Sequence, residues 1–404
     1  MPFGIQARVV PTNGSLEVWK DPGNAPNPCY QSSPFILDSE FTLDWSPQQD
    51  AALKAVAKWL KTREPQVFRL FGYAGTGKTT LATHIAGDFK GEVAFGAFTG
   101  KAALVMRSKG CTDARTIHSM IYTTRESDSE EPEFVLNEEA AAAKADLIII
   151  DECSMVDADL GRDLLTFGKK VLVLGDPAQL PPVSGGGFFT EAEPDVMLTE
   201  VHRQAADNPI IRLSMMVREG ENLDFGTYGE SRILRKADIN TEIVTEADQV
   251  LVGMNKTRRA YNKRLRTLLG YTETMPMVND KLVCLKNDRK KGLLNGGLWR
   301  VKALRPTKSR VVSLRVSPED TGGKVVRVSC LPEFFEGTEE AIPYAKRRDY
   351  QEFDYGYALT VHKAQGSQWD KLVLFDESFA FREHRNRWLY TGITRAAESL
   401  TLVV

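Results

Sequence analysis

Residues 72–79 read Gly-Tyr-Ala-Gly-Thr-Gly-Lys-Thr, between the apolar run Val67–Phe71 and a helix-forming segment from Thr79 to Ala86. A glycine-rich turn that leaves a strand and opens a helix is the context in which GxxxxGK[ST] makes a phosphate site. It therefore constrains fold and ligand together. Gly72, Gly75 and Gly77, with Thr76 and Thr80 alongside, let backbone N–H groups close round phosphate oxygens. The helix N-terminus adds positive potential. Lys78 would reach the β and γ phosphates, and the Thr79 hydroxyl would bind Mg²⁺. ATP and Mg²⁺ are the expected cofactors. An incidental glycine-rich turn is the alternative.

The patterning on either side agrees with a parallel sheet. Val93–Phe98, Leu147–Ile150 and Val171–Leu174 are short, near-continuous apolar runs separated by helical segments. Strands of that kind are covered on both faces. Ahead of them, Ala51, Ala52, Ala55, Val56 and Trp59 recur at helical spacing after a Ser46-Pro47 cap. From about Thr199 a second βα region follows, with strands expected at Val250–Met254, Tyr357–Thr360, Leu372–Phe375 and Leu400–Val404. Between them lie four short apolar runs: Leu282–Leu285, Leu298–Leu304, Val311–Val316 and Val325–Val328. Asn295-Gly296 adds a hairpin signal, so a small all-β insertion is expected at about 281–345. The predicted class is α/β, with tandem parallel-sheet domains at 41–198 and 199–404. An irregular arm, 1–40, precedes them, with one short hairpin at Ala7–Trp19. The stretch Tyr122–Asn137 carries Glu126, Asp128, Glu130, Glu131 and Glu133. It is either a solvated loop or a hairpin projecting from the first sheet.

A chain of 404 residues can bury such cores without a disulfide or metal staple. Cys29, Cys111, Cys153, Cys284 and Cys330 fall at no metal-ligand or CxxC spacing, and no HExxH occurs. Reduced, packed thiols and no structural metal are expected. The net charge of −2 points to no partner. No apolar run nears the roughly 20 residues of a membrane span, and the N-terminus has no signal-peptide core. The expectation is a soluble, cytoplasmic protein of a bacterium or phage-infected cell, with no membrane partner.

Two further turns carry chemistry. Leu147-Ile-Ile-Ile-Asp151-Glu152 delivers adjacent carboxylates to a strand end. Asp151 suits the Mg²⁺ shell and Glu152 a base that polarises the attacking water. An acidic pair capping the next helix is the alternative. Gly175-Asp176-Pro-Ala-Gln179-Leu-Pro-Pro-Val183 follows another strand, and Gln179 could contact the γ-phosphate.

GYAGTGKTT, DECSM and GDPAQLPPV together resemble motifs I, II and III of superfamily 1 helicases. Leu198–Gln204 resembles motif IV, Ala358–Asp370 motif V and Tyr390–Ala396 motif VI. Thr99–Ala103 resembles motif Ia and Thr116–Ser119 motif Ib. The order is the family's, from about residue 44 to the C-terminus. TVHKAQG with YTGITRA is similar to the RecD/Dda branch, class 1B, which moves 5′ to 3′. The resemblance implies two RecA-like domains with ATP between them. It also implies a pin insertion at about 122–137 in the first and a small β-barrel-like insertion in the second.

By matching positions, Gln49 falls where adenine is read, with Gln48 as rival. Arg203 and Arg395 fall where arginines reach the γ-phosphate, and Gly366 falls with the nucleotide contacts. Single-stranded DNA would meet Thr99, Lys101, Thr116 and His118 on the first domain, and Thr360, His362 and Lys363 on the second. Phe98 stands where relatives commonly have Pro; it either stacks on a base or fills the core at a strand end. Two basic clusters are candidates for DNA contact or for solvated surface. One is Lys256, Arg258, Arg259, Lys263, Arg264 and Arg266; the other is Lys286, Arg289, Lys290 and Lys291. The function implied is an ATP-dependent 5′–3′ DNA helicase, active as a monomer on single strands and single/double-strand junctions, with replication or recombination proteins as partners. The rivals are a single-strand translocase that displaces proteins, an RNA helicase and a nucleotide-gated binding module.

Overall fold

A computed structural model describes residues 45–125, 133–182, 185–200, 207–288, 290–305, 310–319 and 323–404. The expected N-terminal arm with Cys29, the acidic residues 126–131, and Arg203, Gln204 and Arg289 lie outside the described residues. Trp45–Val404 forms one compact unit.

The first sheet has six strands, all parallel. Their order is Arg115–Thr116, Val93–Ala97, Leu147–Asp151, Lys170–Gly175, Val67–Gly72 and Val196–Leu198. Successive residues of a strand face opposite ways, so an all-apolar strand must feed two cores. Ile149 packs with Leu81, Ala82 and Met106 on one face. Its neighbours Ile148 and Ile150 pack with Ile117, Leu160 and Leu164 on the other. The helices Lys78–Asp88, Gly100–Ser108, Ile117–Ile121 and Ala158–Leu165 supply these partners.

The second sheet runs Ala358–Thr360, Gln249–Val252, Trp369–Phe375, Ala396–Val403, Ser231–Leu234 and Gly226–Tyr228. It is parallel except at its last, antiparallel edge strand. Leu251, Leu359, Leu372 and Leu374 face the helices Pro209–Glu219 and Arg385–Ile393. Val250, Val252, Ala358 and Val373 face the other way and share a core with Leu282, Cys284, Val301, Leu314 and Phe353 of a third sheet. That sheet is five-stranded and antiparallel, in the order Val326–Cys330, Val312–Pro318, Leu298–Arg305, Lys281–Cys284 and Phe353–Tyr355. Asn295-Gly296 does form a two-residue turn, the Gly297 N–H donating to the Leu294 carbonyl at 3.0 Å, but it does not join the two strands directly. The chain reverses earlier, around a bridge between Asp288 and Leu293. Gly296, at φ +83°, then re-enters the ladder by donating its N–H to the Cys284 carbonyl at 2.9 Å.

Between the strand Arg115–Thr116 and the strand Leu147–Asp151, an antiparallel hairpin projects: Tyr122–Arg125 pairs with Glu133–Leu136. Of the two readings of this stretch, the hairpin is the observed one. Among the described residues no helix is long and apolar enough to cross a membrane. Cys111, Cys153, Cys284 and Cys330 are buried free thiols.

Candidate functional site

The strand Val67–Gly72 ends where no side chain fits. A Cβ on Gly72 would lie 2.6 Å from Thr76 Oγ1 and 2.8 Å from Leu198 Cβ. Gly75 and Gly77 hold φ values of +79° and +80°, which glycine adopts without strain. The Thr76 hydroxyl donates to the Tyr73 carbonyl at 2.9 Å and Thr80 is exposed at the helix start. Lys78 Nζ donates to the carbonyls of Gly72 (2.7 Å) and Tyr73 (2.9 Å), which holds the ammonium within the loop. The Thr79 hydroxyl donates to Asp151 Oδ2 at 3.1 Å. A hydroxyl and a carboxylate are hard oxygen donors. They suit a Mg²⁺ that keeps waters and phosphate oxygens as its other ligands. Among the described residues no group of three or more His, Cys, Asp or Glu could cage a metal.

Glu152 follows in the left-handed region at φ +53°, its N–H bonded to Asp151 Oδ1 at 2.8 Å. Burial pushes the Glu152 carboxyl up. Arg395 opposes that shift and Asp151 reinforces it. Arg395 Nη1 stands 4.0 Å from Glu152 Oε1 although it comes from the second sheet. Its guanidinium is buried and fixed by the Thr391 carbonyl (3.1 Å), Thr394 Oγ1 (3.2 Å) and the Ser367 carbonyl (3.4 Å). Gln179 is buried, and among the described residues its Oε1 has no hydrogen-bond partner.

Of the two glutamines at the first helix, Gln49 reaches the phosphate loop. Its Nε2 donates to the Thr76 carbonyl at 3.1 Å, while its Oε1 accepts the Ser46 N–H at 3.0 Å in a capping box. Gln48 instead holds the Thr199 and Glu200 N–H groups at 2.9 and 3.0 Å. Gly366, at φ +74°, abuts the first sheet's helix: a Cβ there would lie 2.9 Å from Ala102 Cβ and 3.3 Å from Thr99 Oγ1.

Along the expected DNA track, Thr99 and Thr116 are helix caps, accepting from the Ala102 and Ser119 N–H groups at 3.1 and 3.2 Å. Lys101 Nζ lies 4.7 Å from the Trp369 ring centroid across the two sheets. Phe98 is half-buried and packs against the core at its strand end. Its ring also meets His118 edge-on, and His118 contacts Tyr122 and Phe134 of the hairpin. Phe134 is 57% exposed. On the second sheet, Thr360 Oγ1 accepts the Lys363 N–H at 3.3 Å and His362 packs on Phe381. Burial lowers the pKa of His118, His362 and Lys363, with His384 adding to the shift at His362 and Arg258 to that at Lys363.

The first basic cluster is not uniformly solvated: Lys256, Lys263 and Arg264 are exposed, whereas the other three cations are paired. Arg258 pairs with Asp354 at 2.6 Å, Arg259 pairs with Glu339, and Arg266 pairs with Asp280 at 2.9 Å while lying 4.0 Å from the Tyr355 ring centroid. Three of its six cations fasten the helix Asn255–Leu268 to neighbouring chain. In the second cluster Lys286 lies 3.9 Å from Glu352, and Lys290 is exposed.

Sequence reasoning missed two residues beside the phosphate loop. Arg218, on the helix Pro209–Glu219, stacks on the Tyr73 ring with 3.7 Å to its centroid. Nothing in its sequence surroundings marks it. Tyr390 donates to Asp176 Oδ2 at 2.6 Å and accepts the Ala74 N–H at 3.1 Å. It begins the same run that flagged Arg395.

Residues 44–238 match the model of an AAA domain, and residues 355–403 that of the UvrD-like helicase C-terminal domain. The ATP-dependent RecD2 DNA helicase of Deinococcus radiodurans is 30% identical over 362 residues, 81% of this chain and 46% of that protein. The ATP-dependent DNA helicase dda of Enterobacteria phage T4 is 31% identical over 193 residues, 44% of this chain and 43% of that protein. The chain thus spans less than half the length of these relatives. Among solved structures, two coordinating Pif1 helicases at forked duplex DNA give a TM-score of 0.57 at 19% identity, covering 88% of this chain and 91% of that one. Pif1 helicase from Bacteroides with ADP-AlF3 and single-stranded DNA gives 0.54 at 17% identity, covering 87% and 91%. Such identities speak for the fold alone, tandem RecA-like domains.

Proposed function

We propose that the chain is a superfamily 1B helicase, that it hydrolyses Mg·ATP, and that it couples the turnover to 5′–3′ movement on single-stranded DNA and to duplex opening. One observation carries the reading: Thr79, Asp151 and Glu152 of the first sheet converge with Arg395 of the second. When bound, Mg²⁺ would neutralise phosphate charge beside Thr79 and Asp151. Lys78 binds the phosphates, Gln179 orients the attacking water and Glu152 takes its proton. Arg395 stabilises charge on the transferred phosphoryl group, a role worth about 10³–10⁵ in rate. Arg203 is the proposed second arginine. Gln49 and Gly366 are proposed nucleotide contacts.

An arginine supplied by the other lobe makes cleft width depend on nucleotide state. Hydroxyls, N–H groups and cations at Thr99, Lys101, Thr116, His118, Thr360, His362 and Lys363 would grip the strand without reading sequence, with Phe98 beside them. The 5′–3′ sense rests on the resemblance in Thr360–Gly366. The hairpin carrying exposed Phe134 is the proposed wedge at the junction. Each opened step costs about 1.4 kcal/mol of stacking, which hydrolysis must supply.

Strand displacement under single turnover, on duplexes with a 5′ or a 3′ tail, tests this reading. Unwinding from the 5′ tail alone supports it. Unwinding from the 3′ tail alone overturns the polarity. Tail-stimulated hydrolysis without unwinding assigns a translocase instead, and a preference for RNA tails overturns the DNA substrate.

A further inference from the structure

The loop after the strand Lys170–Gly175 belongs to the first lobe by sequence but is embedded in the second. Leu180 is 1% exposed and packs in the second lobe's core. Its N–H donates to Thr391 Oγ1 at 2.9 Å and its carbonyl accepts from Gln365 Nε2 at 3.2 Å. Asp176, also 1% exposed, accepts from the Tyr390 hydroxyl. That same hydroxyl accepts the Ala74 N–H of the phosphate loop. A phenol has one proton to give and can accept, and here both capacities are used inside the protein.

Arg395 is held by the Thr391 carbonyl, Thr394 Oγ1 and the Ser367 carbonyl, all groups of its own lobe. Its distance from the phosphates is therefore set by where the helix Arg385–Ile393 sits. Tyr390 is the residue of that helix bonded to the phosphate loop. We propose that Tyr390 is a positioning residue that sets Arg395 against the phosphate loop, by holding the Ala74 amide and the Asp176 carboxylate through one hydroxyl. Gln179, between Asp176 and Leu180, then travels with the second lobe. The water-orienting amide and the arginine reach the phosphate as one body. Separating the lobes means breaking the Ala74 bond or dragging the phosphate loop along.

The contact itself is independent of turnover, whereas its kinetic consequence rests on the hydrolysis reading. Both are measured on the full chain with Tyr390→Phe. Amide exchange without nucleotide is expected to quicken at Ala74 and over 176–180, with exchange in the strands Leu147–Asp151 and Ala396–Val403 unchanged. Unaltered exchange at Ala74 overturns the proposal even if the protein hydrolyses nothing. In steady state, kcat is expected to fall about tenfold with KM for ATP within about threefold, the pattern of a lost transition-state interaction. A kcat within twofold of the parent, below the melting temperature, overturns the proposal. On an Arg395→Ala background the same change should add little, because both act through one group; full additivity overturns the coupling. If Tyr390→Phe does not fold, Asp176→Asn is the isosteric substitute. Its amide sets an NH₂ against either the phenol or the Ala178 N–H, and the same exchange and kcat pattern is expected.

Discussion

Arg258 and Asp354 lie 2.6 Å apart with both side chains nearly buried, tying the helix Asn255–Leu268 to the strand Phe353–Tyr355. Removing one partner of a buried pair strands the other charge, which costs about 3–5 kcal/mol. Arg258→Ala is therefore expected to lower the denaturant midpoint sharply. A normal midpoint with weakened single-strand binding would return this arginine to the DNA surface.

Glu152→Gln should abolish most turnover without destabilising the fold. Loss of a general base costs about 10²–10⁴ in rate. The carboxyl's folded pKa is raised by burial, despite Arg395, so the proton is held more tightly folded than unfolded. Its contribution to stability is present below the unfolded value near 4.5 and lost as pH rises. At neutral pH the carboxylate thus costs stability that glutamine does not. Thermal melting at pH 7 should show an equal or higher midpoint, with ATP still bound. A lower midpoint, or parental turnover, sinks the assignment.

His118 and His362 have folded pKa values below 6.5, burial being the first cause in each. The unfolded chain then binds protons that the folded one resists. This part of the stability is present above pH 6.5 and lost as pH falls through the folded values. Urea midpoints taken from about pH 8 to pH 5 should decline, and a His118→Gln, His362→Gln variant should decline less. Equal slopes in parent and variant would refute this.

Lys78→Ala should remove ATP hydrolysis while leaving melting nearly unchanged. The ammonium bonds only loop carbonyls of Gly72 and Tyr73 among its described partners. Phosphate release is the measurement, and parental rates would refute the phosphate role.

Gly366→Ala strains two things together. A left-handed φ costs a side-chain-bearing residue roughly 1–2 kcal/mol. The new Cβ also meets Ala102 Cβ at 2.9 Å, from the other lobe. ATP hydrolysis and single-strand affinity should both fall. Parental values for both would show that the working enzyme does not bring Gly366 against Ala102.

The motif-bearing strands were legible because a parallel strand fed by two cores must be apolar at every position, as Leu147–Ile150 is. The edge strands Arg115–Thr116, Val196–Leu198 and Gly226–Tyr228 were not, since three residues or fewer with one exposed side carry no pattern. The phosphate loop, Asp151 and Glu152 were readable because local order alone builds them. Arg258 and Arg266 were misjudged for the opposite reason. A basic run looks the same whether its partners are water or carboxylates about 100 and 14 residues away, and only the tertiary fold brings Asp354 and Asp280 to them. Tyr390 was passed over because a lone tyrosine before a helix end reads as packing. Its two bonds run to residues 214 and 316 positions away.

The antiparallel sheet returns to the second RecA-like sheet through Gly356 and Tyr357 alone, between Phe353–Tyr355 and Ala358–Thr360. So short a tether has no slack. The two sheets also share a packed core, and Arg258 and Arg266 bolt the antiparallel one to the helix behind it, so this sheet and Ala358–Thr360 move together. Displacing this sheet would therefore be felt as strain at the Val361–Lys363 turn.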